Sequence, residues 1–198
     1  MSFKTATTLF LCLIIFSCSQ NSNQEDTGYQ YFDRPMADTV SAEVLLAVTD
    51  EEYIEYTSNI AYLNTEGDTI IPFGKFKYLG TDTLKHFAQV FVDKSKNSSC
   101  CVAIDHKERI LFDIVFFDNM PEEFNEGLLR VKRNGKMGFA NKYGQVVIPC
   151  IYDFVDWFEN GKARVALNAR VVPLHNGEHT MIESDDWFHI DKKGNRID

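Results

Sequence analysis

One motif, stated three times and begun a fourth, restricts what this chain can fold into more than any other feature. The clearest copy opens Met137-Gly138-Phe139-Ala140-Asn141-Lys142-Tyr143-Gly144 and continues Val146-Val147-Ile148-Pro149. Ala61-Tyr62-Leu63-Asn64 with Gly67 and Ile70-Ile71-Pro72 matches it, as do Val102-Ala103-Ile104-Asp105 with Ile110-Leu111, and Phe188-His189-Ile190-Asp191 with Gly194. A closing strand recurs as well, ending at Val90, Val131 and Val165. From the turn Asn or Asp to that valine the spacing is 26 residues (Asn64 to Val90), 26 (Asp105 to Val131) and 24 (Asn141 to Val165). Two anchors held in phase over three copies define a repeat. Its units run approximately 60–90, 101–131 and 137–165, with a partial unit at 187–198.

The residues of the unit dictate strands. Gly138-Phe139-Ala140 and Val146-Val147-Ile148 are β-formers on either side of Asn141-Lys142-Tyr143-Gly144, a turn in which Asn suits the first position and Gly supplies a positive φ near the end. Each unit therefore opens with a β-hairpin, and Pro72 and Pro149 are expected to close the second strand, where a missing N–H does least harm. The expected fold class is all-β: tandem β-hairpin repeats forming a short solenoid or ring-like array. The stretch Ala42 to Tyr56 admits two readings. Glu43–Val48 echoes the closing strand Glu126–Val131, but a short helix packed on the sheet fits equally. The aromatic runs Phe112 to Phe117 and Tyr152 to Phe158 read as core strands, with a ligand-stacking strip as the alternative.

The pattern of Phe124, Gly127 and Val131, then Asn134-Gly135-Lys136-Met137-Gly138-Phe139, then Asn141 through Asp153, resembles the WG repeat of bacterial surface and secreted proteins. The resemblance is closest over residues 122–165. The Trp-Gly pair that names the repeat is nowhere intact: Met137-Gly138 keeps the glycine, Trp187-Phe188 the tryptophan, and Ile60-Ala61 neither.

Residues 1–17 differ in kind from the rest. Lys4 is the sole charge, and Leu9 to Phe16 is an unbroken apolar run, the length of a signal-peptide core and too short to span a bilayer as a helix. The run ends Ile15-Phe16-Ser17-Cys18 and turns abruptly polar. That quartet resembles the lipobox of bacterial lipoproteins. The resemblance implies cleavage between Ser17 and Cys18, and lipidation of Cys18 by several acyl chains, enough for stable anchoring. A plain secretory signal and an uncleaved anchor are the competing readings. Residues 18–40 have the polar composition of a flexible tether, although Tyr29, Tyr31 and Phe32 are suited to docking on the domain that follows, 41–198.

Composition narrows the function classes. With 20 basic and 29 acidic side chains the formal charge is -9, and loss of Lys4 with the signal makes it -10, which argues against nucleic acid as a partner. No nucleophile elbow, phosphate loop, dinucleotide fingerprint or zinc spacing occurs, so no catalytic, cofactor or metal site is assigned. His86, His106, His175, His179 and His189 are scattered; His175 and His179 stand four apart, but in a stretch of loop composition. Glu183, Asp185 and Asp186 read as a solvated turn, with weak calcium binding as the sharper alternative. Cys150 is placed to pair with Cys100 or Cys101 only if the fold brings them together. The expectation is a non-enzymatic lipoprotein of the bacterial cell envelope, on the outer membrane or its periplasmic face, binding a protein or glycan. The alternatives are a structural or accessory envelope lipoprotein with no ligand of its own and, third, an enzyme.

Overall fold

The repeat's Asn or Asp builds the same turn four times in the computed structural model, which describes residues 29–36, 43–95, 98–117, 120–174 and 180–198. Asn141 Oδ1 accepts the backbone N–H of Tyr143 (3.0 Å) and of Gln145 (3.2 Å). Gly144 N–H donates back to the Asn141 carbonyl at 3.0 Å. Asn64, Asp105 and Asp191 hold the backbones of Glu66 and Asp68, Lys107 and Arg109, and Lys193 and Asn195 in the same way. A short side-chain acceptor thus fixes each hairpin before any packing is considered. The fourth position of each turn needs a left-handed backbone. Gly67, Gly144 and Gly194 provide it at φ of 91°, 75° and 82°; Glu108 adopts it at 60° with a side chain in place.

Every described element is a strand. β1 (Leu45–Val48) precedes the first unit, which comprises β2 (Asn59–Leu63), β3 (Thr69–Tyr78), β4 (Thr83–Leu84) and β5 (Ala88–Ser95). The second unit has β6 (Ser98–Ile104), β7 (Ile110–Ile114), the short ribbon β8 (Phe116–Phe117) and β9 (Met120–Pro121), and β10 (Leu128–Arg133). The third has β11 (Lys136–Asn141), β12 (Val146–Tyr152), β13 (Phe154–Val155) and β14 (Lys162–Ala166). A two-stranded arm, β15 (Arg170–Pro173) and β16 (Thr180–Glu183), is inserted before β17 (Phe188–Asp191).

Closing strands pair across the unit boundary, always antiparallel and in one register. Val90 faces Val102, Val131 faces Gly138, and Val165 faces Phe188. Val48 faces Ala61 in the same way, so Leu45–Val48 is a closing strand and the helical reading of Ala42 to Tyr56 is not the one adopted. In the first two units the second strand of the hairpin then reaches the following closing strand, β3 pairing with β5 and β7 with β10; in the third, β13, the short strand after β12, pairs with β14. These links make a ten-stranded sheet ordered β12-β11-β10-β7-β6-β5-β3-β2-β1-β4, continued by the three strands β13-β14-β17. β1 pairs with β2 and β4, and β17 with β14, so among the described residues the two ends do not join and the array is open rather than a ring.

The core is three clusters in series. Leu45, Ile60, Tyr62, Phe76, Val90, Val102 and Ile104 form the first; Ala103, Leu111, Phe112, Leu129, Val131 and Ala140 the second; Phe139, Ile148, Val155, Phe158, Val165 and Ile190 belong to the third. β6 sends Val102 and Ile104 to one cluster and Ala103 to the next, and β11 divides Phe139 and Ala140 likewise. Alternate side chains of one strand therefore belong to different layers of core. Of the aromatic runs, Phe112, Tyr152 and Phe158 are buried, while Phe116, Phe117 and Trp157 stay on the surface.

The signal stretch 1–17 and Cys18 lie outside the described residues, as does much of the tether 18–40. Within that tether, residues 29–36 lie on the array, where Phe32 packs against the second cluster and Tyr29 against the first.

Gly138 carries the tightest backbone approach. Met137 pairs with Tyr152 and Phe139 with Ile148, so four residue steps on β12 oppose two on β11, and Pro149 lies in the bulge. A Cβ built on Gly138 would stand 2.5 Å from the Ile148 carbonyl oxygen and 2.8 Å from Cys150 N. Gly138→Ala is expected to lower stability by about 1–3 kcal/mol through this overpacking. Urea denaturation of the variant beside the parent chain measures it, with Gly127→Ala separating backbone strain from steric contact because nothing lies within 4 Å of a Cβ there.

Candidate functional site

A carboxylate eight residues before an arginine is repeated 34 positions on: Glu122 with Arg130, and Asp156 with Arg164. Arg130 lies on β10 immediately before the closing Val131, and Arg164 on β14 immediately before Val165. The connection that leads into each closing strand brings its own carboxylate back over the arginine. Arg130 Nε donates to both Glu122 carboxylate oxygens at 2.8 Å, and its Nη1 donates to the Val155 carbonyl at 2.8 Å. Both side chains are almost wholly buried, at 7% and 4% exposed. Arg164 Nε donates to Asp156 at 2.8 Å, with the two side chains 48% and 38% exposed.

Aromatic rings cover both guanidinium groups. Arg130 lies 5.1 Å from the Trp157 ring and 5.9 Å from Phe154; Arg164 lies 4.2 Å from Trp187. Trp157 meets Phe117 edge-on at 5.1 Å, and Phe154 meets Trp187 edge-on at 6.0 Å. The result is a ridge of alternating rings and guanidinium groups. Its free end is the β8–β9 ribbon, where Phe116, Phe117 and Met120 are exposed beside the partly exposed Trp157. The ridge draws on both units, so no single stretch of sequence announces it. The paired carboxylate and arginine could have been found by laying one unit over the next.

The residues singled out from sequence do not converge. Ser17, Cys18, His175 and His179 lie outside the described residues. His86 stacks edge-on against Tyr143 at 4.9 Å. His189 Nδ1 pairs with Asp198 at 2.5 Å. Glu183 pairs with Arg170 at 3.0 Å, and Asp186 accepts Asn168 Nδ2 at 3.2 Å and the Ser184 hydroxyl, which holds its carboxyl below the usual range. Among the described residues no three His, Cys, Asp or Glu side chains are grouped as a metal site would require. Asp105 and Asp191 serve the turns.

Cys100, Cys101 and Cys150 are in the thiol form. Cys100 packs on the first cluster, Cys101 and Cys150 on the second, and burial pushes the Cys150 thiol up to about 12, too high to supply a thiolate near neutrality. An open depression of about 560 Å³ beside the Pro149 bulge is lined by Asp33, Arg133, Lys136 and Cys150. Its charges are already engaged, Arg133 with Asp33 and Lys136 with Asp153.

Two tests follow from these pairs and from the buried imidazole. Removing one partner of the buried pair strands a charge, whereas the exposed pair is screened by water. Glu122→Ala is expected to cost about 3–5 kcal/mol and Asp156→Ala below about 1 kcal/mol, read from paired denaturation curves. His106 Nε2 is buried without a hydrogen-bond partner among the described residues, and burial lowers the His106 pKa, opposed in part by the backbone of Glu43. The unfolded chain then binds this proton more readily than the folded one. Stability is therefore complete above the ordinary histidine pKa and falls as pH drops below about 6.5. Thermal melts between pH 8 and pH 5 should show that fall, and His106→Gln should flatten it.

The family model described as WG containing repeat matches residues 103–136 and 137–169. No curated protein and no solved structure matches the chain. The matched segments are the second and third units, with the turns of Asp105 and Asn141, the Pro149 bulge and both carboxylate–arginine pairs. WG repeats are repeat modules rather than an enzyme family. Residues 103–169 thus match two consecutive WG containing repeats, about a third of the chain.

Proposed function

We propose that the chain is a non-enzymatic, lipid-anchored binding module of the bacterial cell envelope, and that the aromatic ridge is the surface it presents to a protein or glycan. The observation that carries this reading is the grouping of Phe117 and Met120, 56% and 51% exposed and paired across the ribbon, with Trp157 at 39% against Phe117. Large apolar side chains held together at a surface are costly to hydrate, and such patches mark interaction sites. Trp157 is also fixed in place by Phe117 on one side and Arg130 on the other, so little side-chain entropy remains to be lost on binding. An open repeat array suits recognition through an extended face. The lipid anchor rests on the sequence Ile15-Phe16-Ser17-Cys18.

The test compares the parent chain with Phe117→Ser and Trp157→Ser, each presented to envelope proteins and to envelope polysaccharide. The expected result is one retained ligand whose affinity drops about tenfold or more in either variant, as for a hot-spot aromatic. Equal retention by all three chains removes the ridge from the interface. Mass spectrometry of the mature N-terminus tests the anchor separately, with acylated Cys18 expected.

A further inference from the structure

We infer that residues 29–36 are a strap that shortens the tether and holds the repeat array close to the lipid surface; the membrane end of this inference rests on the anchor proposed above.

The strap end is built from named contacts. The Tyr29 and Tyr31 phenols both donate to the Asp113 carboxylate, Tyr31 at 2.7 Å, and their rings meet edge-on at 5.4 Å. Burial first, and then the Asp113 carboxylate, push the Tyr29 phenol far above its ordinary pKa, so this donor stays protonated throughout the physiological range. Phe32 N–H donates to the Ile110 carbonyl at 2.7 Å, and the Arg109 guanidinium lies 3.4 Å over the Phe32 ring. Arg133 donates to the Phe32 carbonyl (3.0 Å), to the Leu111 carbonyl (2.7 Å) and to Asp33, so one side chain ties strap to sheet. Arg34 Nη1 reaches the Tyr143 carbonyl at 2.7 Å, and Gln145 Nε2 donates to the Pro35 carbonyl at 2.8 Å. Eight residues thus cross from β7 of the second unit to the turn of the third.

Chain length gives the consequence. Ten residues, 19–28, separate Cys18 from Tyr29. Fully extended they reach about 35 Å. Were the strap undocked, the 24 residues 19–42 would reach about 80 Å from the same anchor. Docking therefore more than halves the greatest height at which the array can stand. It also fixes where the tether attaches. Asp113 pairs with Lys132, two residues from Asn134, so the chain joins the array at the rim that carries the β10–β11 turn.

The experiment uses the full chain, processed by its host and reconstituted in supported bilayers of phosphatidylethanolamine and phosphatidylglycerol. Neutron reflectometry measures the height of the protein layer. Its partner is the triple substitution Tyr29→Ser, Tyr31→Ser and Phe32→Ser, confined to the strap so that the sheet is unaltered. Hydrogen exchange is followed at residues 29–36 in both chains. The strap predicts exchange at the Phe32 amide slowed about a hundredfold in the parent and lost in the variant. It also predicts a gap below about 35 Å in the parent that widens in the variant. Unprotected strap amides in the parent, or equal heights for both chains, overturn the inference while leaving the anchor intact. If neither chain partitions to the bilayer, the anchor fails and the inference fails with it, and the exchange data show whether the strap itself stands.

Discussion

The pairing of each closing strand with the opening strand of the next unit supports everything else, because without it neither unit has a complete core. β6 and β11 carry apolar residues on both faces, and each contributes to two of the three clusters. A unit cut at its own boundary would expose half of its opening strand and leave the closing strand of the unit before it with an unpaired edge. The constant register, a closing Val opposite Ala61, Val102, Gly138 and Phe188, is the geometric form of that dependence. Stability in such an array belongs mainly to the junctions between neighbours. The buried Glu122–Arg130 pair adds to one of them: Arg130 on β10 bonds the Val155 carbonyl of the following unit.

Much of this was legible in the residues, and the reason is that the informative interactions are local. Asn64, Asp105, Asn141 and Asp191 bond to backbone no more than four positions away, so their spacing to glycine reveals the hairpins directly. The closing strands were legible by phase. What stayed hidden depends on partners distant in sequence. Ala42 to Tyr56 has a pattern that a helix or a strand could satisfy, and only the pairing of Val48 with Ala61 decides it. That Tyr29, Tyr31 and Phe32 are suited to docking shows in the sequence, but not that Asp113, Arg109 and Arg133, some eighty to a hundred positions on, receive them. The ridge is divided between Phe117 of one unit and Trp157 of the next. No window of sequence contains both.

The divergence of the units from one another has a physical order. Gly138 and Pro149 belong to one device: the bulge that Pro149 tolerates folds β12 backbone onto the position where any Cβ would collide. The second unit has neither at the corresponding positions, with Val102 in place of the glycine. Val102 faces Asp113 and Ala103 faces Phe112 in regular register, and the shift comes only between Ala103 and Ile104, so it does not fall opposite the branched side chain. The first unit keeps the proline, Pro72, but has Ala61 at the glycine position. There Ile60 pairs with Phe76 and Tyr62 with Ile71, so five residue steps on β3 oppose two on β2, against four in the third unit. The extra step includes Gly74 in a left-handed conformation, so this bulge is wider than the one opposite Gly138. Loss of the naming dipeptide therefore does not signal loss of the repeat. The bulge opposite the glycine position differs in place or width among the first three units, whereas the turn and the closing register are kept at all four copies.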